Sequence, residues 1–517
     1  MKKFLSICIG CHCCIILQKV SAQDLEQIGK KNPIELSGGL SLNQVFYSAF
    51  GNPARRDPYS FVASGNINFA LYGWSIPLSF TFSNQGNSFQ QPFNQYSVHP
   101  TYKSITAHAG YISSSYSPYT VNGHNMVGGA VDYEPQGKFK VSALYGRLLR
   151  AVKFDTLQNA LPVYERWGYG VKALYVGERN SVQLVIFHAE DNERSLPYVP
   201  DTLNLHPQEN LVLSLGGSTI ILKKFQLKGE VASSAVSTNT NGGLAPREDV
   251  FGKLSPLFTS RSSTTDFNAY KANFDYQHPK FTLGVGYEHV DPGYNTFGAY
   301  YFNNDLENIT VNASTSIFDG KVSMAASIGK QHDNLNGSKI STLERTVGSA
   351  NVAYSASEKL SLAVSYSTFQ SYTNIRSQFQ QLNQLTPYEN IDTLNFTQLS
   401  RSANATASYL FGKSSERKQN LNLNFSVQGA SDLQGDVPQN SGMWFYNVNC
   451  SYSLNLTPQN TIVAVSINAS MNDGENSSMT YGPVASVSKL FMEKKVKLNA
   501  SVNYNSTTGL AARGMKV

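Results

Sequence analysis

The sequence alternates. In residues 420–427, Leu421, Leu423, Phe425 and Val427 take turns with Asn420, Asn422, Asn424 and Ser426. Val496, Leu498, Ala500, Val502 and Tyr504 do the same against Lys497, Asn499, Ser501 and Asn503, and Ile309, Val311, Ala313 and Ile317 against Thr310, Asn312, Ser314 and Ser316. A period of two sends one set to each face of a strand. From residue 128 onward such runs are about ten residues long, the length that crosses a bilayer as a tilted strand. Short polar turns join them at 134–138, 177–180, 222–224, 276–280, 319–320, 355–359, 412–418, 456–460 and 491–495, rich in Gly, Pro, Asn, Asp and Lys as hairpin turns should be. Longer connections fall between these turns, at 190–209, 237–266, 291–306, 331–343, 372–396 and 431–442.

Short turns at one end and long loops at the other predict an all-β protein, a transmembrane antiparallel β-barrel of about 22–24 strands with short periplasmic turns and long outer loops. A soluble sandwich would also show one apolar face. Here that face is bounded by aromatics near strand ends (Tyr354, Tyr366, Tyr409, Phe411, Tyr481), and the other face is neutral Ser and Asn. Residues 34–505 are expected to form the barrel, with 23–33 a short periplasmic segment. The stretch 24–127 is the hardest to divide, because Pro53, Pro58, Pro77, Pro92, Pro100 and Pro118 interrupt it. The last run heads outward, so a closing strand is expected to be missing; residues 506–517 read as an irregular tail consistent with truncation.

Composition agrees. Charged residues are only 15% of the 517, and Gly (39), Tyr (29) and Phe (28) are abundant, a β-rich balance. Lys2 and Lys3 precede an apolar run from Phe4 to Leu17, and Val20, Ser21 and Ala22 supply small residues before a cut. Residues 1–22 therefore read as a secretory signal peptide. Losing Lys2, Lys3 and Lys19 leaves 38 basic residues against 35 acidic, which is no signature of nucleic-acid binding. Cys8, Cys11 and His12 spell C-x-x-C-H with Cys13 and Cys14 beside them. Inside a removed targeting segment they hold no haem or metal; lipidation of Cys11 is the lesser alternative. Cys450 would remain alone, so no internal disulfide holds the mature chain.

The sequence offers little chemistry. His188, Glu190, Asp191 and Glu193 lie where a strand leaves the membrane, with His188 and Glu190 on one face, and Ser195 follows without a base at a fixed spacing. His289 and Asp291 flank a turn at Pro292 and Gly293; His108 and His124 are isolated; Gly284 and Gly286 sit in a strand, outside the strand-then-helix context of a dinucleotide site. All read as polar rim or strand positions. Cys450 falls on the lipid face, and Trp444 with Phe445 reads as an interfacial anchor. No catalytic, cofactor or metal residue is assigned. The lumen face, Ser, Asn and Thr with Lys321 and Lys497, lacks a ring of one charge, so any channel would be weakly selective. The long loops at 189–210 and 237–266 would narrow it by folding inward, unless a partner protein fills it.

The segments QPFNQ (91–95), SPYTVNGH (117–124) and DPGY (291–294), followed by GAYYF (298–302) and ND (304–305), resemble segments of a family of Gram-negative outer-membrane β-barrel proteins. The resemblance covers most of the mature chain. It implies location and fold and brings no functional residues. The expectation is a pore that passes solutes across the outer membrane, not an enzyme, with outer-membrane lipid as its surroundings. The alternative is a structural or interaction component of a surface or secretion assembly, its lumen closed by loops or a lumen- or loop-binding protein.

Overall fold

The structure, a computed structural model, describes residues 10–17, 34–46, 57–84, 94–154, 161–245, 250–254, 256–300, 303–339, 342, 344–368, 399–412, 416–430, 433–434, 437–438, 443–473, 477–492 and 496–509. The expected antiparallel barrel forms. Among the described residues one sheet contains 26 strands, and all but two pair with the strand before them in that sheet. Two of these strands continue their predecessor after a break: Thr101–Tyr102 follows Gln95–Val98, and Ser506–Gly509 follows Val496–Asn503. The last strand therefore runs four residues past its expected end at 505.

The ring closes through Gly10–Leu17. This strand pairs antiparallel with Ile34–Phe46 on one side and Val496–Asn503 on the other. A segment expected to be an export signal thus occupies the seam. It runs from the loop end toward the turn end, opposite in direction to both neighbours.

The Pro-interrupted region resolves into Ile34–Phe46, Tyr59–Leu71, Trp74–Ser83, Gln95–Val98 and Ile105–Ser115. Turn chemistry sets the register. Tyr72 (φ 46°) and Gly73 (φ 84°) alone link Leu71 to Trp74, and Leu222 (φ 51°) and Lys223 (φ 59°) open the three-residue turn between Ile221 and Phe225. Two successive positive φ angles match the right-handed twist of the flanking strands, which is why two residues suffice at the first.

Alternation sorts the side chains by face. Val285 (52% exposed), Val311 (52%) and Ile328 (63%) lie side by side outside, among dozens of other exposed large apolar groups. Water does not tolerate a continuous apolar band of that extent; lipid does. Aromatic pairs edge the band. At the loop end Tyr145 stacks with Trp167 (5.3 Å) and Tyr169 meets His188 (4.9 Å); at the turn end Phe139 meets Tyr175 (4.9 Å) and Phe411 meets Tyr452 (5.8 Å). Trp167 and Tyr175 are eight residues apart, about 27 Å along a strand, or about 20 Å of barrel height after the usual tilt. That matches the apolar belt of an outer-membrane barrel.

Candidate functional site

What could act on a solute lies inside the ring. After the strand Phe281–Val290, the chain turns at Pro292 and Gly293; Gly293 supplies φ +86°, and Tyr294 N donates to Asp291 O (3.1 Å). Residues 291–300 then fold inward and meet residues 116–121, from the connection between Ile105–Ser115 and Asn122–Tyr133. Tyr294 Oη donates to Tyr119 O (2.8 Å), Thr296 Oγ1 to Thr120 O (2.7 Å), and Asn122 N to Gly298 O (2.9 Å). The two segments run so close that a Cβ at Gly298 would lie 2.6 Å from Thr120 O.

Side chains from the wall hold this plug. Asn210 Oδ1 accepts from Phe297 N (3.0 Å), and Ser234 Oγ donates to Asn295 O (2.6 Å). Tyr119 Oη donates to Glu288 (2.6 Å), while Ser214 (2.5 Å) and Ser117 both donate to Glu230. Arg166 lies 3.6 Å over the Phe297 ring and is fixed in a two-pronged ion pair with Asp191 (2.7 and 3.0 Å). Apolar packing completes the plug: Phe297 joins Ile112, Met126, Leu144, Phe187 and Val212, and Tyr119 and Tyr294 join Ala232, Ala269, Val290 and Leu306. Burial, and after it the neighbouring carboxylates, push both tyrosine hydroxyls up, so they remain neutral donors.

The other side of the ring differs. From Val322 to Asn503 the inward positions are mostly Ser, Asn, Thr, Ala and Gln, with Phe445 and Lys497 among the exceptions, and Val347 is the single buried large apolar side chain among the described residues. Asparagines form a ladder across successive strands: Asn424 Nδ2 donates to Asn449 (3.4 Å), which donates in turn to Asn468. Where the plug meets this arc, a recess of about 250 Å³ is lined by Asn273, Glu288, Asn308, Asn312 and Ser327, with Lys271 3.9 Å from Glu288. On the plug's far side, His99 Nδ1 lies 2.7 Å from His108 Nδ1, and His108 Nε2 lies 2.9 Å from Asp132.

Several expected residues separate. Asp191 faces inward with Arg166, while His188 faces outward and pairs with Glu209 (3.0 Å). Glu193 opens a short 3-10 turn capped by Asn192, and Ser195 Oγ accepts from Glu165 N (3.0 Å). His289 stacks on Tyr270 (4.7 Å) and lies 3.0 Å from Asp291 and 3.3 Å from Glu307. His108, read as isolated, is paired, and His124 is buried against Tyr300 (4.0 Å). Of the proposed anchor pair, register puts Trp444 outside beside Tyr446 and Phe445 inside opposite Gln428 and Asn472. Lys321 ends a turn instead of lining the lumen. The described part of 237–266 packs outside instead of folding inward: Phe251 and Phe258 lie on Leu211 and Ala235, on the same outer face as Leu215 and Val231. The stretch 372–396 lies outside the described residues.

No protein-family model matches the chain, and no curated protein does. Solved structures similar to it are outer-membrane proteins. OccK2 (OpdF) of Pseudomonas aeruginosa is 10% identical, with 97% of this chain and 96% of that one covered, at a TM-score of 0.31. The FrpB iron transporter of Neisseria meningitidis (F5-1 variant) is 10% identical over 97% and 83%, at 0.43. A BenF-like porin from Pseudomonas fluorescens Pf-5 is 9% identical over 92% and 99%, at 0.31. The barrel itself rests on this chain's own register.

The charged positions Lys172, Glu230, Lys271 and Glu288 escaped the sequence reading, although each lies on the polar face of its strand. A charge at an inward position beside a long loop was the available signal.

Proposed function

We propose that the protein is an outer-membrane pore that passes small hydrophilic solutes with weak ion preference, along the unplugged side of its lumen. The observation that carries this is the split interior: between Ile105 and Ile317 it holds buried apolar clusters packed on the inward-folded segments, whereas between Val322 and Asn503 it is lined mainly by neutral hydroxyls and carboxamides. Neutral donors and acceptors hydrate a path without favouring either ion sign. Single-channel recording of the purified barrel in a planar bilayer tests the reading. Steady openings with a near-zero reversal potential in a salt gradient are expected. Silence from a barrel shown folded by heat-modifiable gel mobility sinks it.

The same proposal includes removal of residues 1–22 on export. Cleavage takes Gly10–Leu17 from the seam and leaves Ile34–Phe46 and Val496–Asn503 as neighbours running in the same direction. Direct pairing there would be parallel, giving an odd strand number, a closure known among barrels. Mass spectrometry of the membrane-extracted protein should find Gln23 at the N-terminus. A start at Met1 would mean that Gly10–Leu17 is a permanent barrel strand.

A further inference from the structure

Near the loop end, the outer face of two adjacent strands, Asn180–Asn192 and Glu209–Ile221, carries three ligand-type side chains together. Glu190 stands directly opposite Glu209 in the register. His188, two residues before Glu190 on the same face, places Nε2 3.0 Å from Glu209 Oε1. One donor atom from each lies within 4.8 Å of the other two.

Directly opposed carboxylates repel across a strand pair, and Glu209 is only 7% exposed, where uncompensated charge is costly. Among the described residues no Lys or Arg lies within ion-pair distance of either carboxylate. The burial comes from Phe251 and Phe258, which pack against Leu211 and Ala235, and from Thr259, whose N donates to Glu209 (3.4 Å). The Tyr169 ring covers His188 from the other side.

We propose that His188, Glu190 and Glu209 bind a divalent first-row metal ion of the Zn²⁺ kind at the outer rim of the barrel. One imidazole nitrogen with two carboxylate oxygens suits such an ion, whereas Mg²⁺ and Ca²⁺ prefer oxygen alone. Bonds of about 2 Å require the three donors to contract slightly, and the exposed Glu190 has the freedom to swing in. The ion replaces a repulsion with two bonds. It fastens two strands together and, through Thr259, holds residues 256–263 against the barrel.

The test uses the full-length barrel, folded in detergent and stripped with chelator, titrated with ZnCl₂ by calorimetry and with CoCl₂ by visible absorption. One saturable site per chain is expected, with Co²⁺ ligand-field bands and slower proteolysis within residues 256–263 when metal is present. Glu190→Gln changes an exposed side chain, leaves heat-modifiable mobility intact and weakens binding by roughly tenfold or more; Glu209→Gln abolishes it. Absence of a saturable site overturns the proposal. So does binding that both variants leave unchanged, because His188 and Glu209 would then form a plain ion pair beside a solvated Glu190.

Discussion

The arc from Ile105 to Ile317 and the arc from Val322 to Gly509 present the same outer face and opposite interiors. Both are apolar outside with aromatic edges. Inside, the first carries Ile112, Met126, Leu144, Phe187, Val212 and Val290, buried against residues 116–121 and 291–300; the second carries Ser, Asn and Thr that meet one another across strands. Lipid dictates the outside of a barrel, so that face cannot distinguish the two arcs. The inside is free to vary, and there the chain records which arc is filled.

The largest expected effect comes from removing that difference. Replacing residues 293–303 with a short Gly-Ser linker should unplug the first arc and roughly double single-channel conductance, since the plug lies against about half of the ring. Unchanged conductance would mean that the current does not share a lumen with the plug. Next, Phe297→Ala removes the ring that joins the plug to the wall beneath Arg166. Truncating a buried Phe costs about 3–5 kcal/mol, enough to undock residues 291–300 and make them sensitive to protease, with flickering openings. Asn449→Ala in the hollow arc should leave both readouts unchanged. Equal sensitivity of the two variants would erase the contrast between the arcs.

A smaller effect sharpens the second arc. Asn449→Asp puts one negative charge on the asparagine ladder between Asn424 and Asn468. A charged side chain on a neutral pore wall biases ion passage, so the reversal potential in a salt gradient should move toward cation preference without a change in folding. A shift no larger than that of a charge placed on a surface loop would take the path off this arc.

How much of this was legible follows from the same physics. Period-two alternation, as in residues 420–427, revealed the strands and the outer face because lipid enforces it at every second position. The turns after residue 128 were legible because tight hairpins demand particular φ angles, as at Asp319 and Gly320, whereas the turn at Tyr72 and Gly73 lay in the Pro-interrupted stretch and was not. The fate of the loops was not. Residues 291–305 hold Tyr294 and Phe297, and residues 238–263 hold Phe251 and Phe258. In each case aromatics signal burial without saying against which face. The first set docks inside and the second outside, a choice made by partners far away in sequence. Glu209 lies about twenty residues beyond His188 and reached it only through register, which the sequence reading did not pair. His99 met His108 across the break at Pro100 that had hidden the strand.

The smallest expected effect concerns the outer edge of the plug, where Lys339 from the next loop pairs with Asp305 (2.5 Å) and Asp333 (2.7 Å), and Asp305 also accepts from Leu335 N (2.8 Å). Burial works to raise the Asp305 carboxyl, but hydrogen bonds from Lys339, Leu335 and Asn334 outweigh it and hold the group below its usual range. Burial works to lower the Lys339 ammonium, and its bonds to Asp305 and Asp333 outweigh that, leaving it above its usual range. A depressed carboxyl stabilises above its unfolded pKa of about 4 and loses that contribution as pH falls through its lower folded value. A raised ammonium stabilises below its unfolded pKa of about 10.4 and loses that contribution as pH rises through its higher folded value. The clamp is therefore closed throughout the neutral range, and conductance should be flat between about pH 5 and pH 9. The Lys339 side chain is about half exposed, so Lys339→Ala should cost no more than about 1 kcal/mol. It should appear as faster nicking of residues 333–339, with the Phe297 packing intact. A conductance step between pH 5 and pH 9 that disappears in Lys339→Ala would show that this contact gates the pore; if the step survives the substitution, the titrating group lies elsewhere in the lumen, with the His99 and His108 pair the first to replace.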